Sequence, residues 1–382
     1  MGQSLNVMTP INDLGYGIAG YNILRALQES GCDASLFIIG PPNISDEQQG
    51  QLVQRLTDNQ NSFDVNAPCL KIWHEFHMGE RVGKGPLFGF PFFEINKFDE
   101  RRINHLKSCD HIAVASQWAK DIVADQIPSY PAENIHVVPL GVDGNVFSSP
   151  KPVRTPKCIF LNCGKWEVRK GHDILFHLFQ SAFPDNVDVE LWMMCGNPFL
   201  QEQERMRWEH FYKQDPRIQI IERVPSQKQL ASIMSHSTCG IFPSRAEGWN
   251  LEILEMMSLG KNIITTNYSA HTEFCNSQNS FLVTPQKNEA AVDGKWFNGE
   301  AEWASLDGIH DEFVEHMQNV YSVWKESDGT LVNEEGIKTA KQFSWSNTAQ
   351  KLMEAIYGNK HSQDSGEKAS CGRCNSDKSE CS

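Results

Sequence analysis

The stretch TCGIFPSRAEGWNLEILE, residues 238–255, joins a short apolar run to a segment with helical periodicity. Residues 238–242 predict a buried strand that ends at a proline-containing turn. We expect a helix to start near Asn250, because apolar side chains then recur at helical spacing through residues 251–257. The start of this helix would lie beyond the carboxyl end of the strand, which is where open α/β sheets bind ligands.

The same alternation of apolar runs and helical segments occurs on both sides of a turn-rich stretch at 141–157. It predicts an α/β protein made of two Rossmann-like, doubly wound lobes that face each other across a cleft. We assign residues 1–150 to the first lobe and residues 151–342 to the second. Residues 343–358 predict a closing amphipathic helix.

The chain has 382 residues, with 48 acidic and 34 basic side chains and a formal net charge of −14. This acidic balance opposes binding to nucleic acid. No apolar run reaches the roughly 18 residues that a membrane-spanning helix needs, and the amino terminus lacks the pattern of a secretory signal. We therefore expect a soluble, cytoplasmic protein. The sequence leaves open whether it also binds peripherally to a membrane.

Eight of the eleven cysteines are scattered through the body of the chain, mostly within or beside apolar runs. They are expected to be buried, reduced thiols. The other three, Cys371, Cys374 and Cys381, belong to a tail at 359–382 that has no Ile, Leu, Val, Met or aromatic residue and is expected to be disordered. Because only His361 is left as a fourth ligand for a closed zinc site, we predict no metal there.

A second strand-to-helix junction, residues 163–173, has the sequence CGKWEVRKGHD. Its three cations, Lys165, Arg169 and Lys170, concentrate positive charge in an acidic protein, which suits a diphosphate. Backbone amides at the other helix start, residues 248–251, are well placed to hold phosphate oxygens. The alternative is an ordinary solvated basic loop.

Two glutamates, Glu247 and Glu255, flank that helix start and are eight positions apart. This spacing corresponds to at most ~12 Å along a helix, which is comparable to the reach of one sugar nucleotide. One carboxylate could therefore meet a sugar and the other a ribose. The alternative is that Glu247 interacts with the helix dipole and Glu255 is a solvated helix residue.

Near the amino terminus, GYGIAG at residues 15–20 matches the G-x-G-x-x-G fingerprint of dinucleotide sites. However, Gly15 comes six positions after the strand-like run that ends at Thr9, and the second strand-like run ends without the acidic residue that would hold a ribose. NAD binding is therefore the less favoured interpretation. We expect instead that backbone amides near Gly15 and Gly17 approach an anionic or hydroxylated ligand. A purely structural turn is the alternative.

Together, these segments resemble a retaining glycosyltransferase of family 4, which has the GT-B fold. Glu247 and Glu255 fit the E-x7-E signature, and Lys165 and Lys170 fit the basic element that follows a strand. The resemblance spans about residues 5–285, and the closing helix resembles the one that crosses back to the first lobe in that fold. Further matches are AVASQWAK at 113–120, VPLGVD at 138–143, HTE at 271–273 and LVTP at 282–285.

The resemblance implies a role for each matching residue. Glu247 would contact hydroxyls of the donor sugar, and Glu255 would hydrogen-bond the ribose. Lys165 and Lys170 would neutralise the diphosphate. The other donor-side residues are expected to offer amides to sugar and phosphate (Gly248, Trp249, Asn250, Leu251), to border the base (Arg223, Val224) and to lie at the inter-lobe face (Gly15, Gly17).

Three features depart from the family pattern. Lys165 replaces the usual arginine, so a point charge replaces a planar fork. The usual E-G-F-G reads E-G-W-N here, which could change the grip on the donor sugar. The first-lobe strand that often ends in a histidine near the reacting carbon has Glu94 instead, and His74 and His77 are alternative sources of an imidazole.

The resulting expectation is a glycosyltransferase that moves a sugar from a UDP- or GDP-sugar to a hydroxyl group, with retention at the anomeric carbon. The resemblance implies that residues 1–150 form the acceptor side and residues 151–342 the side that binds the nucleotide-sugar donor; whether the acceptor is a carbohydrate, a lipid-linked molecule or a protein is left open. No D-x-D motif occurs, so cationic side chains and helix ends are expected in place of a divalent ion, and no cofactor is implied. The alternatives are a non-catalytic protein of this fold that binds sugar nucleotides or carbohydrates, and an NAD-dependent oxidoreductase.

Overall fold

The computed structural model describes residues 3–44, 46–148 and 153–358, so the cysteine-containing tail lies outside the described residues. Within these ranges the strands form two six-stranded parallel sheets and one two-stranded antiparallel ribbon. Strands of the large sheets are largely apolar and buried, as expected for parallel sheets covered on both faces. The predicted α/β architecture with two Rossmann-like lobes is confirmed.

The first lobe has a parallel sheet in the spatial order β2-β1-β3-β4-β5-β6. Its strands are β1 (Ser4–Thr9), β2 (Asp33–Ile38), β3 (Cys69–Lys71), β4 (Leu87–Gly89), β5 (His111–Val114) and β6 (Ile135–Val137). Its helices are α1 (Gly15–Glu29), α2 (Glu47–Asp58), α3 (Glu100–Lys107) and α4 (Gln117–Gln126).

The second lobe has a parallel sheet in the spatial order β12-β11-β10-β7-β8-β9. Its strands are β7 (Cys158–Cys163), β8 (Val189–Met194), β9 (Ile218–Ile220), β10 (Cys239–Phe242), β11 (Asn262–Thr266) and β12 (Phe281–Val283). Its helices are α5 (His172–Ala182), α6 (Glu202–Tyr212), α7 (Gln227–Ser235), α8 (Leu251–Ser258), α9 (His310–Glu326) and α10 (Glu334–Gln342). Because β7 and β10 are neighbours at the centre of the sheet, the loops that follow them lie side by side.

The last helix, α11 (Trp345–Tyr357), returns the chain to the first lobe. Its apolar face packs into the same core as α1. The Thr348 hydroxyl donates to the carbonyl of Pro139 at 2.8 Å, and the Tyr357 hydroxyl donates to the carbonyl of Ser4 at 2.6 Å. This helix therefore attaches residues 345–357 to β1 and to the segment that follows β6.

Three strands are shorter than the apolar stretches of sequence in which they lie. The stretch at 88–95 pairs only as β4, the stretch at 70–76 only as β3, and the stretch at 217–223 only as β9. Beyond β4, Pro91 has no N–H group to donate to a neighbouring strand. The aromatic side chains of this segment pack on other rings instead. The segments released from the sheets become loops that border the cleft.

The antiparallel ribbon β13 (Asn288–Val292) and β14 (Asn298–Ala304) was not expected from the sequence. Its strands are mostly polar and half-exposed, so they lack the apolar run that marks a core strand. The ribbon reaches the first lobe, where Glu302 accepts hydrogen bonds from Asn96 Nδ2 at 3.4 Å and Lys97 Nζ at 3.3 Å.

The eight body cysteines are buried, and within the described ranges none forms a disulfide, which confirms the prediction of reduced thiols. No helix in the described part of the chain is long and apolar enough to cross a membrane.

Candidate active site

A cavity of about 520 Å³ lies between the two lobes. Loops that follow β7 and β10 and the start of α8 border it on the second-lobe side. Loops that follow β1, β3 and β4 border it on the first-lobe side. Both sheets thus direct the carboxyl ends of their strands at the cavity, which is the usual place for a ligand in α/β folds.

Arg169 and Glu247 form the centre of a buried ion cluster on the second-lobe wall. Arg169 Nη1 donates to Glu247 Oε2 at 2.7 Å, and Arg169 Nη2 donates to Glu167 Oε2 at 2.7 Å. Lys170 Nζ donates to the other oxygen of Glu247 at 2.8 Å. Lys165 Nζ, the most exposed member, lies 2.9 Å from Glu167 Oε1. Ion pairs therefore hold the loop after β7 against the loop after β10.

The cluster keeps its members ionised. Burial by itself opposes the charge on Glu247, but Arg169 and Lys170 outweigh that effect and hold the pKa of this carboxyl well below its usual range. Burial also opposes the charges of Arg169 and Lys170, and the facing Glu247 carboxylate raises the pKa of both. Within the cluster three cations face two carboxylates, and the same wall also carries Glu252 and Glu255.

Polar groups at the start of α8 also face the cavity. Asn250 has φ 79°, in the left-handed region that asparagine tolerates better than most residues. His271 Nδ1 lies 3.1 Å from the carbonyl of Thr266, so this nitrogen carries the proton and Nε2 accepts from Asn250 Nδ2 at 3.0 Å. The Asn250 Oδ1 atom is then buried without a partner among the described residues, and a ligand hydroxyl would satisfy it.

Glu255 lies on the second turn of α8, is buried and lines the cavity. Among the described residues it has no hydrogen-bond or ion-pair partner. Burial, and secondarily the nearby Glu252 carboxylate, raise the pKa of Glu255 well above its usual value. Such a carboxylate is costly in the free protein, and hydrogen-bond donors from a ligand would offset that cost.

Glu94 faces the ion cluster from the first lobe. Its Oε1 atom lies 3.8 Å from Arg169 Nη2. Burial raises the pKa of Glu94 to about 7; Arg169 opposes this shift, and the Glu247 and Glu167 carboxylates add to it. This carboxyl group therefore changes its charge near neutral pH.

An imidazole lines the cavity beside it. Burial, and then the positive charge of Lys165, lower the pKa of His74 to about 4. His74 is therefore neutral at neutral pH and can accept or donate a hydrogen bond.

The structure brings most of the expected site residues to this one cavity. They are Gly15, His74, Glu94, Lys165, Lys170, Arg223, Val224, Glu247, Gly248, Trp249, Asn250, Leu251 and Glu255. A β-carbon at Gly248 would lie 3.2 Å from Phe92 Cβ, so the glycine allows the loop to approach the first lobe. Trp249 borders the cavity but is buried, and its ring packs on Phe274 with centroids 4.9 Å apart.

Two expected residues, Gly17 and His77, do not line the cavity. A β-carbon at Gly17 would lie 2.3 Å from the backbone of Asn12, so the absence of a side chain lets α1 pack against the loop that precedes it. His77 is exposed, and its Nε2 atom lies 2.8 Å from Arg101 Nη2. The close packing at Gly17 accounts for part of the glycine fingerprint without a dinucleotide.

Of the two central members of the cluster, Glu167 was not an expected site residue, and Arg169 was expected only as one of three cations of the basic loop, without a role of its own. Both lie in the basic loop CGKWEVRKGHD, where the alternation of charges was the available signal. Their role depends on Glu247, which is 78 positions from Arg169 and comes close only in the folded chain.

Residues 157–294, which contain the whole six-stranded sheet of the second lobe, match the family model described as Glycosyl transferases group 1. Sucrose-phosphate synthase from Thermosynechococcus elongatus superposes with a TM-score of 0.67 over 92% of this chain and 98% of its own, at 14% identity. The chain therefore has the GT-B fold of these glycosyltransferases, and its second lobe matches a glycosyltransferase family model. Its assignment to family 4 stays a prediction.

Other solved structures resemble this chain to a similar degree. Anabaena HepE, in complex with UDP and glucose, has a TM-score of 0.64 at 14% identity and covers 93% of this chain and 99% of its own. A glycosyltransferase from Rickettsia africae has a TM-score of 0.65 at 14% identity, with 93% and 98% covered. At these identities the likeness establishes the fold alone. No curated protein sequence matches this chain.

Proposed function

We propose that this protein is a glycosyltransferase that transfers a sugar from a nucleoside-diphosphate sugar to an acceptor hydroxyl, with retention at the anomeric carbon and without a divalent metal. The observation that carries the proposal is the second-lobe wall of the cavity. Lys165 and Lys170 lie there beside the start of α8, and Glu255, which has no partner in the described ranges, lies one turn further along. Positive charge, free amides and a hydrogen-bond acceptor match a diphosphate followed by a ribose.

In this proposal the diphosphate lies between the basic loop and the start of α8. Lys165 and Lys170 neutralise its charge, which increases as it leaves the sugar. Glu255 accepts hydrogen bonds from the ribose, and Arg223 and Val224 border the base. The ligand thereby satisfies the polar atoms that the free protein leaves without partners.

Glu247 contacts hydroxyls of the donor sugar. Because Arg169 and Lys170 keep it ionised and fixed, Glu247 is a preorganised acceptor and loses little conformational entropy on binding. Glu94, across the cavity, orients the sugar and the acceptor. Closure of the lobes excludes water, because hydrolysis competes with transfer.

The reaction takes place on one face of the sugar. The bond from the anomeric carbon to the β-phosphate oxygen breaks, and its electron pair stays with the diphosphate. The acceptor oxygen forms the new bond from the same face, and its proton passes to the departing phosphate. Retention follows from the resemblance to family 4, and the protein contributes mainly position and electrostatic stabilisation.

UDP is the first nucleotide to test. The HepE structures contain UDP, UDP with glucose, and UDP-glucose, and this chain shares their fold. Calorimetry of the full chain with UDP-glucose, GDP-mannose, ADP-glucose and NAD will identify the donor class. Binding of one of the sugar nucleotides supports the proposal, whereas binding of NAD alone contradicts it.

Turnover separates an enzyme from a binding protein. Nucleoside diphosphate release should continue in excess EDTA, and NMR of the product should show the anomeric configuration of the donor. A bound donor that is never consumed would favour a non-catalytic protein. Release that stops in EDTA and returns with Mg²⁺ would contradict metal independence, and an inverted product would contradict retention.

A further inference from the structure

The first-lobe wall of the cavity is aromatic. Tyr16, Trp73, His74 and Phe92 all border it. Their rings contact each other: the Tyr16 centroid lies 5.5 Å from that of Trp73, 4.7 Å from that of His74 and 4.8 Å from that of Phe92. Together they form a continuous surface, which we call the aromatic wall.

The aromatic wall is held in place before any ligand binds. The Tyr16 hydroxyl donates to the carbonyl of Phe92 at 2.7 Å and accepts from the amide of Phe92 at 3.0 Å. The His74 ring stacks on Phe76 with centroids 5.0 Å apart and an angle of 10° between the planes. A surface fixed in this way binds a ring-shaped ligand without a large loss of side-chain entropy.

Polar atoms of the aromatic wall are left for a ligand. The Trp73 indole N–H and the ring nitrogens of His74 have no hydrogen-bond partner in the described part of the chain. The imidazole is neutral at neutral pH, as shown above, so it can accept from a hydroxyl or donate to one. Flat apolar faces with free donors and acceptors at their edges match a sugar ring, whose C–H groups stack on aromatic faces while its hydroxyls hydrogen-bond.

The charges of this side of the cavity oppose an anionic acceptor. Among the described first-lobe residues that line it, the charged ones are Asp13 and Glu94, and none is a lysine or an arginine. The lysines and arginines that line the cavity belong to the second lobe: Lys165, Arg169 and Lys170 lie at the proposed diphosphate, and Arg223 pairs with Asp13 at 3.4 Å. A phosphate on the acceptor would therefore meet two carboxylates, and the cations nearest to them, Arg223 and Arg169, are already engaged by carboxylates of the protein.

We infer that the acceptor is an uncharged saccharide, one ring of which lies on Trp73 and His74. This inference rests on the proposed function. The reacting hydroxyl then points toward the donor sugar with Glu94 beside it, and its proton goes to the departing diphosphate as described above. Trp73 and His74 are acceptor-binding residues that neither the family match nor the similar structures assign.

The test measures nucleoside diphosphate release by the full chain at a saturating concentration of whichever donor calorimetry identifies. Methyl α-glucoside and maltose represent neutral saccharides, glucose 6-phosphate represents a phosphorylated one, and octanol represents a lipid-like alcohol. At least one neutral saccharide should raise the release rate tenfold or more over the rate without acceptor. Glucose 6-phosphate and octanol should raise it by less than twofold.

Variants then locate the saccharide. Trp73→Ala should raise the KM for the active saccharide at least tenfold while the Kd for the nucleoside diphosphate stays within twofold, and Trp73→Phe should recover most of the loss. His74→Gln gives an independent measurement at the same wall. Trp296→Ala is the matched control, because Trp296 is an exposed indole that does not line the cavity.

The outcomes separate the two proposals. Donor hydrolysis that no neutral saccharide stimulates, or stimulation by glucose 6-phosphate or octanol instead, would overturn the saccharide inference and leave the proposed function intact. A KM that is unchanged in folded Trp73→Ala and His74→Gln would also overturn it. Failure of every sugar nucleotide to bind would overturn both.

Discussion

Glu247 and Glu255 belong to one strand–loop–helix unit and border one cavity, yet their surroundings are opposite. Glu247 is fixed by Arg169, Lys170 and the hydroxyl of Ser244, and its pKa is held low. Glu255 is equally buried, has no partner among the described residues, and its pKa is raised. Two carboxylates of one sequence motif can therefore differ in kind: the first is already preorganised, and the second is completed by a ligand.

The largest expected effect comes from Glu247→Ala. Removal of this carboxylate leaves Arg169 and Lys170 buried without their shared partner, which should lower the free energy of unfolding by about 3–5 kcal/mol. Glu209→Ala is the control, because Glu209 pairs with cations at the surface and should cost about 0–1 kcal/mol. Denaturant unfolding measures both, and equal losses would show that the buried cluster has no special weight.

Lys170→Ala tests the catalytic side of the same cluster. It removes a cation beside the proposed diphosphate and should lower turnover at least tenfold, which corresponds to about 1.4 kcal/mol. Lys165→Ala should have a smaller effect, because Lys165 is partly exposed and its charge is screened by solvent. Steady-state kinetics at two salt concentrations compare them, and equal, salt-independent losses would contradict this ranking.

Glu255→Gln should stabilise the free protein and weaken donor binding. Burial raises the pKa of Glu255 in the folded state, so the unfolded chain loses this proton at a lower pH than the folded protein does. The resulting cost to folding begins above the unfolded pKa of about 4.3 and grows as pH rises. The variant should exceed the native chain in unfolding free energy by about 1 kcal/mol at pH 8 and match it near pH 4. Its donor Kd should increase about tenfold. A variant less stable than the native chain at pH 8 would show that Glu255 already has a partner.

Glu94→Gln should have the smallest effect on activity, and we expect that effect to be a change in the pH dependence of kcat/KM. The pKa of Glu94 is about 7, so its carboxylate forms as pH rises through neutrality and can then accept a hydrogen bond from a sugar hydroxyl. We expect kcat/KM of the native chain to rise several-fold between pH 6 and pH 8, and the Glu94→Gln profile to be flat in this range. An unchanged inflection in the variant would assign the titration to another group.

The sequence predicted much of the site because its residues follow strands. Lys165 and Lys170 come after β7, and Glu247 after β10, and neighbouring parallel strands deliver their following loops to one edge. The sequence did not predict that Arg169 binds Glu247, because the two are 78 positions apart and pairing depends on the third dimension. It also placed Glu94 at a strand end, whereas the chain leaves the sheet at Gly89 and Glu94 lies in a loop.

The two-lobed α/β order was determined by the sequence alone, because apolar periodicity and turn residues act over a few neighbouring positions. The ribbon formed by β13 and β14 was not predicted, because its polar sequence is locally indistinguishable from that of a loop. Only the tertiary structure decided which charges are paired, which carboxylate is left alone and which aromatic faces border the cleft. Desolvation and Coulomb energies depend on burial and distance, and those are set when the two lobes pack.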